Sequence, residues 1–454
     1  MSDATISRVR LRELTRLGRS RTGHRPASGP PPGACASRRR VVTEALRASA
    51  TPRRRAPERP ARAPNLRSHG SNRLGVDWAP AKGPLVAPTQ DALYAEIDLD
   101  LSWSERDLPE RERTRHVHRL HPYLGKFIPQ VVEVLLGRYV PNGGRVLDPF
   151  AGSGTTLVQG LESAYDSVGV DIAAFNCLLM EVKTRRYDLF ALESELRDVV
   201  RRVEAMDGGP PATGYLAEWF APRAGSELLA FRELIGEYGH ADLLRVVLAR
   251  AARSARLTTH FDLDFPRSPQ RERYWCHKHK RFCRPIDRAE HFLRRYALDT
   301  LRRIKDFSRV RARGRAAEVI HDDARKVAFA GRFDALITSP PYPGLIDYHE
   351  QHRYAYELLE LDDLRGFELG SGAQGTSAAA LARYVEGVAA VLSHAKRTLR
   401  ARAPVVIVVN DRRNLFPEIL ERAGLHMEER LRRHVNRRTG RRAGEFFEDV
   451  LVAR

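Results

Sequence analysis

The sequence predicts an α/β fold: a doubly wound, mostly parallel sheet of about seven strands, the last antiparallel, with helices on both faces. Three observations carry that expectation. RVLDPFAGSGTTLVQGLESA followed by DSVGVDI reads as strand, glycine-rich turn, helix and second strand, the order of a nucleotide-binding βαβ unit. EVIHDDARKVAFAGRFDALITSPPY supplies two further strand-like runs. APVVIVVND and FFEDVLVAR supply two more, set among helical stretches.

In chain order, residues 1–90 read as a disordered basic tail. Residues 1–80 carry 18 arginines, no lysine and five acids, so +13 of the chain's +20 net charge lies there. Its stretches PPPGACASRRR and TPRRRAPERPARAP offer too few periodic apolar positions to offset the entropy of ordering. A phosphate-binding arm is the functional reading, because clustered arginines near a polyanion gain from counterion release. A solubilising tail, or translation from an upstream start codon, is the bland one.

Residues 91–186 and 311–454 are expected to form the two parts of the sheet domain, with 187–310 as a largely helical insertion. In HPYLGKFIPQVVEVLLGRYV a turn-like stretch leads, after Pro129, into Val131, Val134, Leu135 and Val140 at near-helical spacing, and PNGG ends that helix. Gly152 and Gly154 would let backbone approach a ligand, and Asp171 at the tip of the second strand could accept two hydrogen bonds from ribose hydroxyls. A tight turn capped by Ser153 or Thr155 would give the same pattern. No lysine-bearing phosphate loop occurs, which excludes a standard P-loop NTPase. Asp148, Asp171, Asp322 and Ser339 all fall at carboxyl ends of strands, so one crevice would collect them.

No window approaches the ~18 uninterrupted apolar residues of a membrane span, and no secretory signal is evident. Four cysteines, Cys35, Cys177, Cys276 and Cys283, are too few and too scattered for a disulfide framework. A soluble, cytoplasmic protein with no membrane partner is expected.

DPFAGSGTT (Asp148 to Thr156) resembles the cofactor motif of the S-adenosylmethionine-dependent DNA amino-methyltransferases, and TSPPY (Thr338 to Tyr342) resembles their catalytic motif. HPYLGKFIP is similar to the segment that folds over the methionine end of the cofactor. The resemblance covers Arg119 to Asp171 and about Val319 to Arg454. It implies a class I, Rossmann-like methyltransferase sheet, S-adenosyl-L-methionine as cofactor and duplex DNA as partner, with the target base flipped out. It also raises a cognate restriction or defence component as a further partner. The Ser-Pro-Pro-Tyr form is more typical of the cytosine-N4 branch; adenine N6 is the rival. An RNA amino-methyltransferase and a non-catalytic nucleic-acid-binding module stand as readings from other classes.

By that resemblance Ser339, Pro340, Pro341 and Tyr342 form the catalytic corner. An exocyclic amino nitrogen is a poor nucleophile because its lone pair is delocalised into the ring. The Ser339 hydroxyl and the Pro340 carbonyl would accept its hydrogens, the prolines would fix the backbone, and Tyr342 would stack on the base. Phe127 and Pro129 would line the methionine end of the cofactor, with Phe150, Gly152, Gly154 and Thr155 in the motif loop. Asp148 would reach its amino group through that loop, Asp171 its ribose, and Asp322 or Asp323 its adenine edge. Asp347, Tyr348 and Arg353 would lie near the substrate mouth, unless they only make a helix polar.

The insertion is expected to be helical over Leu192 to Val203, Leu228 to Tyr238 and Ala289 to Phe307. It holds YWCHKHKRFCRP, read as a basic aromatic loop with Lys278, Lys280 and Arg281 facing phosphate. Cys276, His277, His279 and Cys283 are the lesser alternative, four zinc ligands. Against zinc, the spacing is not that of a standard finger, and adjacent Cys and His side chains point apart in regular structure. HVNRRTGRRAGE, between the last two strands, is either a backbone-contacting loop or a solvated one.

Overall fold

A computed structural model describes residues 97–454, apart from 104–105, 207, 261, 264–265 and 436–445. The expected tail of residues 1–90, with Cys35, and the arginine-rich loop beyond Val435 lie outside the described residues. Among the described residues no helix is long and apolar enough to cross a membrane.

Among the described residues nine strands follow in chain order: β1 (Arg145–Asp148), β2 (Asp166–Asp171), β3 (Tyr274–Cys276), β4 (Arg281–Cys283), β5 (Ala317–His321), β6 (Ala335–Thr338), β7 (Val405–Val409), β8 (Met427–His434) and β9 (Phe447–Ala453). Seven form one sheet in the order β5-β2-β1-β6-β7-β9-β8, while β3 and β4 pair apart as a hairpin. The first five are parallel; β9 runs antiparallel between β7 and β8. The chain starts at β1, winds outward to β2 and β5, then returns to β1's other side with β6. That reversal opens a crevice at the carboxyl ends of β1 and β6, where open α/β sheets bind ligands.

Burial on both faces explains the unbroken apolar run of β7. Val406 and Val408 join one core with Val131, Leu135 and Leu136 of the helix Pro129–Tyr139. Val405, Ile407 and Val409 face the other core, with Val385, Val388 and Leu392 of the helix Ala378–Lys396. Alternating side chains of a strand covered on both sides all need to be apolar.

The insertion is helical as expected, but longer at most ends: Leu189–Ala205, Pro222–Leu234 and Glu290–Val310. The helices Gly214–Trp219 and Ala241–Ala255 and the β3–β4 hairpin had no sequence-based assignment. The insertion's core residues, among them Leu196, Phe231, Leu248 and Leu301, continue into Phe175, Leu179 and Tyr354 of the sheet domain's helices. Arg250, buried in the Ala241–Ala255 helix, pairs with Asp299 and Thr300 of the last insertion helix.

The sheet's centre is braced by a buried acid. Asp148, at the tip of β1, accepts hydrogen bonds from Thr338 Oγ1 at the tip of β6 (2.6 Å), from Thr156 Oγ1 (2.6 Å) and from the Phe150 N–H (3.2 Å). It is 1% exposed, and burial outweighs these donors, raising its carboxyl to about 6. One side chain therefore fixes the two strand tips that flank the crevice to the start of the helix Thr155–Glu162.

Replacing Thr338 with Val keeps the shape but leaves Asp148 Oδ1 without its short donor. We expect the variant to lose about 1–3 kcal/mol of stability, the usual cost of an unsatisfied buried polar group, read as a lower urea midpoint.

Candidate active site

The crevice is a cleft of about 880 Å3, open mouth included, whose walls include Tyr123, Lys126, Phe127, Phe150, Gly152, Ser153, Thr155, Asp171, Asn176, Asp322, Asp323, Arg325, Ser339, Pro341, Tyr348 and Glu368. Of the residues assigned in the sequence to the catalytic corner and the cofactor, nine line it: Phe127, Phe150, Gly152, Thr155, Asp171, Asp322, Asp323, Ser339 and Pro341. Asp148, Pro129, Gly154, Pro340 and Tyr342 do not.

Three of these have a direct physical reason. Asp148 is spent on the strand-tip brace. Pro129 is buried at the first position of its helix, where its missing N–H costs nothing. Gly154 serves packing rather than a ligand: it is left-handed at φ 77°, and a Cβ there would stand 2.7 Å from Met180 Cγ of the helix Ala174–Thr184. The missing side chain lets the start of the helix Thr155–Glu162 approach the helix Ala174–Thr184 closely. Of the two loop glycines Gly152, at φ 51°, borders the cleft, and its N–H donates to Asp171 Oδ2 at 2.8 Å.

Asp171 is already heavily engaged. Its Oδ1 accepts from the Ala173 N–H (2.9 Å) and from Asn176 Nδ2 (3.0 Å), in addition to Gly152 on Oδ2. A carboxylate has roughly four acceptor positions, so a single one remains, on Oδ2, rather than the pair expected for ribose. Burial dominates and lifts its carboxyl to about 6. The two acids after β5 also separate. Asp323 is clamped by Arg325, whose Nη2 lies 2.7 Å from Oδ2 and whose Nε reaches both oxygens. Asp322 is exposed and accepts the Asp323 N–H.

The Thr338 to Gly344 corner is held from four sides. Ser339 Oγ donates to the Val408 carbonyl of β7 (2.8 Å), Tyr384 donates to the Pro341 carbonyl (2.9 Å), Tyr342 donates to Glu448 Oε1 of β9 (3.1 Å), and the Gly344 N–H donates to Gly370 (3.0 Å). Tyr342 is half-buried, and its ring packs against the core around Tyr384 and Leu392. Of the suggested mouth residues, Tyr348 lines the cleft, stacked on Tyr123 at 5.1 Å. Asp347 instead caps a short helix, and Arg353 pairs with Glu357 over the Tyr215 ring.

Sequence reasoning missed Tyr123, Asn176, Arg325 and Glu368. Tyr123 sits inside the quoted HPYLGKFIP segment, and Asn176 one helical turn past Asp171, so both were within reach. Glu368, 5% exposed, comes from a loop and binds the Tyr348 N–H (2.9 Å) and His349 Nδ1 (2.9 Å); no motif marks it. Lys126 is pulled down to about 8 by burial and donates to the His118 carbonyl (2.7 Å), which fixes the strap Tyr123–Phe127 across the cleft.

The lining suits S-adenosylmethionine. Two buried polar atoms on it, Ser153 Oγ and Asn176 Oδ1, have no protein partner, and buried polar groups require one. Around them stand carboxylates for hydroxyl and amino groups, and the apolar faces of Phe127, Phe150, Ile172 and Leu369 for a heteroaromatic ring.

The chain is similar to known proteins in sequence. Residues 90–181 match the sequence profile of a family described as DNA methylase. The type II methyltransferase M.MjaII of Methanocaldococcus jannaschii is 33% identical over 449 residues, spanning 80% of this chain and 84% of that protein. The type II methyltransferase M.MvaI of Kocuria varians is 25% identical over 152 residues, 31% of this chain and 34% of its own. Among solved structures, TrmN from Thermus thermophilus overlaps loosely, at 13% identity and a TM-score of 0.29 over 73% of this chain and 49% of that one.

Gly154→Ala should destabilise the fold by at least about 1–2 kcal/mol, the cost of a left-handed non-glycine residue, before the contact with Met180 is counted. Thermal unfolding would register it, and an unchanged midpoint would remove the packing role.

Proposed function

The chain belongs to the DNA methylases that act on amino nitrogens with S-adenosylmethionine as cofactor, and from that premise we propose that it methylates the exocyclic N4 of cytosine at a specific duplex sequence. When bound, the cofactor supplies an electrophilic methyl group. The chain's own residues bind and orient the two reactants, which removes a large entropic part of the barrier.

One observation carries the reading. The Ser339 proton is committed to the Val408 carbonyl, so the hydroxyl of this cleft residue offers lone pairs to whatever enters. A fixed acceptor there can take a hydrogen of the target amino group, which lets the nitrogen pyramidalise and frees its lone pair. The Pro340 carbonyl is the second acceptor in this scheme; the neighbouring Pro341 carbonyl is used by Tyr384. Pro341 cannot donate an amide hydrogen against either. Tyr342, fixed through Glu448, stacks on the flipped base, the usual route to a base buried in a duplex.

On the cofactor side, Asp171 takes the ribose through its remaining acceptor position, with Ser153 and Asn176 as further polar partners. The Asp322–Asp323 pair takes the adenine edge, and Phe127 and Tyr123 cover the methionine end. In the insertion, exposed Lys278, Lys280 and Arg281 approach DNA phosphates. The similarity to type II methyltransferases supports a nuclease of matching specificity as a partner, and DNA as substrate supports a cytoplasmic location.

Methyl transfer from tritiated S-adenosylmethionine to duplex DNA, single-stranded DNA and RNA, followed by nucleoside mass spectrometry, tests the target. N4-methylcytosine is expected; N6-methyladenine would replace the base and keep the site, and label in RNA alone would overturn the DNA assignment. Ser339→Ala should lower kcat by about 10²-fold or more, the range seen on removing one transition-state hydrogen-bonding group, with cofactor Kd nearly unchanged. Full turnover would remove Ser339 from the chemistry.

Cofactor affinity should also depend on pH. A ribose hydroxyl donating to Asp171 favours the ionised carboxylate and so lowers its pKa on binding. Affinity is then full above about 6, the free carboxyl's value, and falls as pH drops through it. Calorimetric titration should show this slope in the parent chain and its loss in Asp171→Asn.

A further inference from the structure

The β3–β4 hairpin is poorly supported by apolar packing. Its strands have three residues each, pairing Tyr274 with Cys283, Trp275 with Phe282 and Cys276 with Arg281. Alternation sends Trp275 and Phe282 outward, 47% and 61% exposed, where they meet edge to face at 5.4 Å. No hairpin residue joins the hydrophobic cores of the described residues. A lone two-stranded hairpin is marginally stable in water, and units this small ordinarily need a metal or a disulfide. What the inward face presents instead of an apolar cluster is sulfur and imidazole.

Cys276 and Cys283 are buried there, at 3% and 8% exposure, with both thiols free. His279, from the turn between the strands, places Nδ1 at 3.6 Å from Cys276 Sγ and 3.5 Å from Cys283 Sγ. His260, from the loop after the helix Ala241–Ala255, places Nδ1 at 3.5 Å from Cys276 Sγ. One ligand atom from each of the four lies within 4.8 Å of all the others. A tetrahedral zinc with Zn–S of about 2.3 Å and Zn–N of about 2.0–2.1 Å has S···N edges of about 3.5–3.6 Å. The three sulfur–nitrogen distances match that edge. His277, the residue that adjacency to Cys276 suggests, is exposed and stands outside the group.

We propose that His260, Cys276, His279 and Cys283 form a closed Cys2His2 zinc site that locks the hairpin to the insertion. Two thiolates and two neutral imidazoles fill a tetrahedral shell, leaving no position for a substrate, so the site is structural. Binding releases the two thiol protons. The turn between the strands is tight: the Lys280 N–H closes it on the Cys276 carbonyl (2.8 Å), with Lys280 left-handed at φ 53°. The Tyr274 hydroxyl, which accepts the backbone N–H of His260 (3.1 Å) and lies 2.8 Å from Nδ1 of the His260 ring, holds that imidazole against the hairpin. The ion thereby fixes Trp275, Phe282 and the basic turn at one surface.

The test is metal content of the full chain, purified without chelator and dialysed, by inductively coupled plasma mass spectrometry. One zinc per chain is expected. Cys276→Ser and His260→Ala should each lose most of it, while His277→Ala should retain it. S-adenosylmethionine binding, measured on the same samples, reports that the sheet domain is folded in every variant. Chelator-stripped protein refilled with cobalt should give the intense visible bands of a tetrahedral thiolate site. Metal-free protein that also fails to take up cobalt would overturn the proposal. So would a Cys276–Cys283 disulfide in the purified chain, or zinc that survives His260→Ala and is lost in His277→Ala.

Discussion

The carboxylate of Asp148 is the constraint on which the site depends. It lies at the one place in the sheet where winding direction reverses, and it ties the tip of β1 to the tip of β6 and to the glycine loop's helix. A charge-capable group without water is costly unless hydrogen-bonded. Two threonines and an amide meet that need and in return gain a fixed geometry. The cofactor loop and the Ser-Pro-Pro corner, 190 residues apart in sequence, therefore share a single anchor. Movement of one would break the same hydrogen bonds that hold the other.

From that anchor the corner is fastened outward. Val408, Glu448, Tyr384 and Gly370 each hold one of its residues, and they come from β7, β9, a helix and a loop. A catalytic acceptor works by being in place before the reaction, and here rigidity comes from several elements rather than from the prolines alone. The cofactor side is built differently. Asp171 is held by three donors yet keeps an acceptor position, and Ser153 and Asn176 keep unpaired atoms, so that wall remains chemically incomplete without a ligand.

Much of this was legible in the sequence because the sheet is built from short, contiguous patterns. Apolar runs mark strands buried on both faces, glycine marks the loop, and polar residues at strand ends mark the crevice. One residue type can serve two purposes, and the sequence does not separate them: Gly154 packs against Met180, and Asp148 braces the strand tips. Glu368, an acid in a loop, left no recognisable signal. The helix Ala241–Ala255 was within reach, since Leu243, Leu244, Val247, Leu248 and Ala251 recur at helical spacing.

The sequence by itself determined most strands of the main sheet, their glycine-rich turn, the proline corner and hence the class of chemistry, since each is a local consequence of backbone conformation and side-chain alternation. Tertiary structure decided which polar groups are free to act. It spent Asp148 and most of Asp171 on the scaffold, directed the Ser339 proton to β7, and chose His260 over His277 as the companion of Cys276. Those outcomes depend on distances between residues far apart in the chain, and they are fixed only when the sheet and the insertion pack and water is excluded.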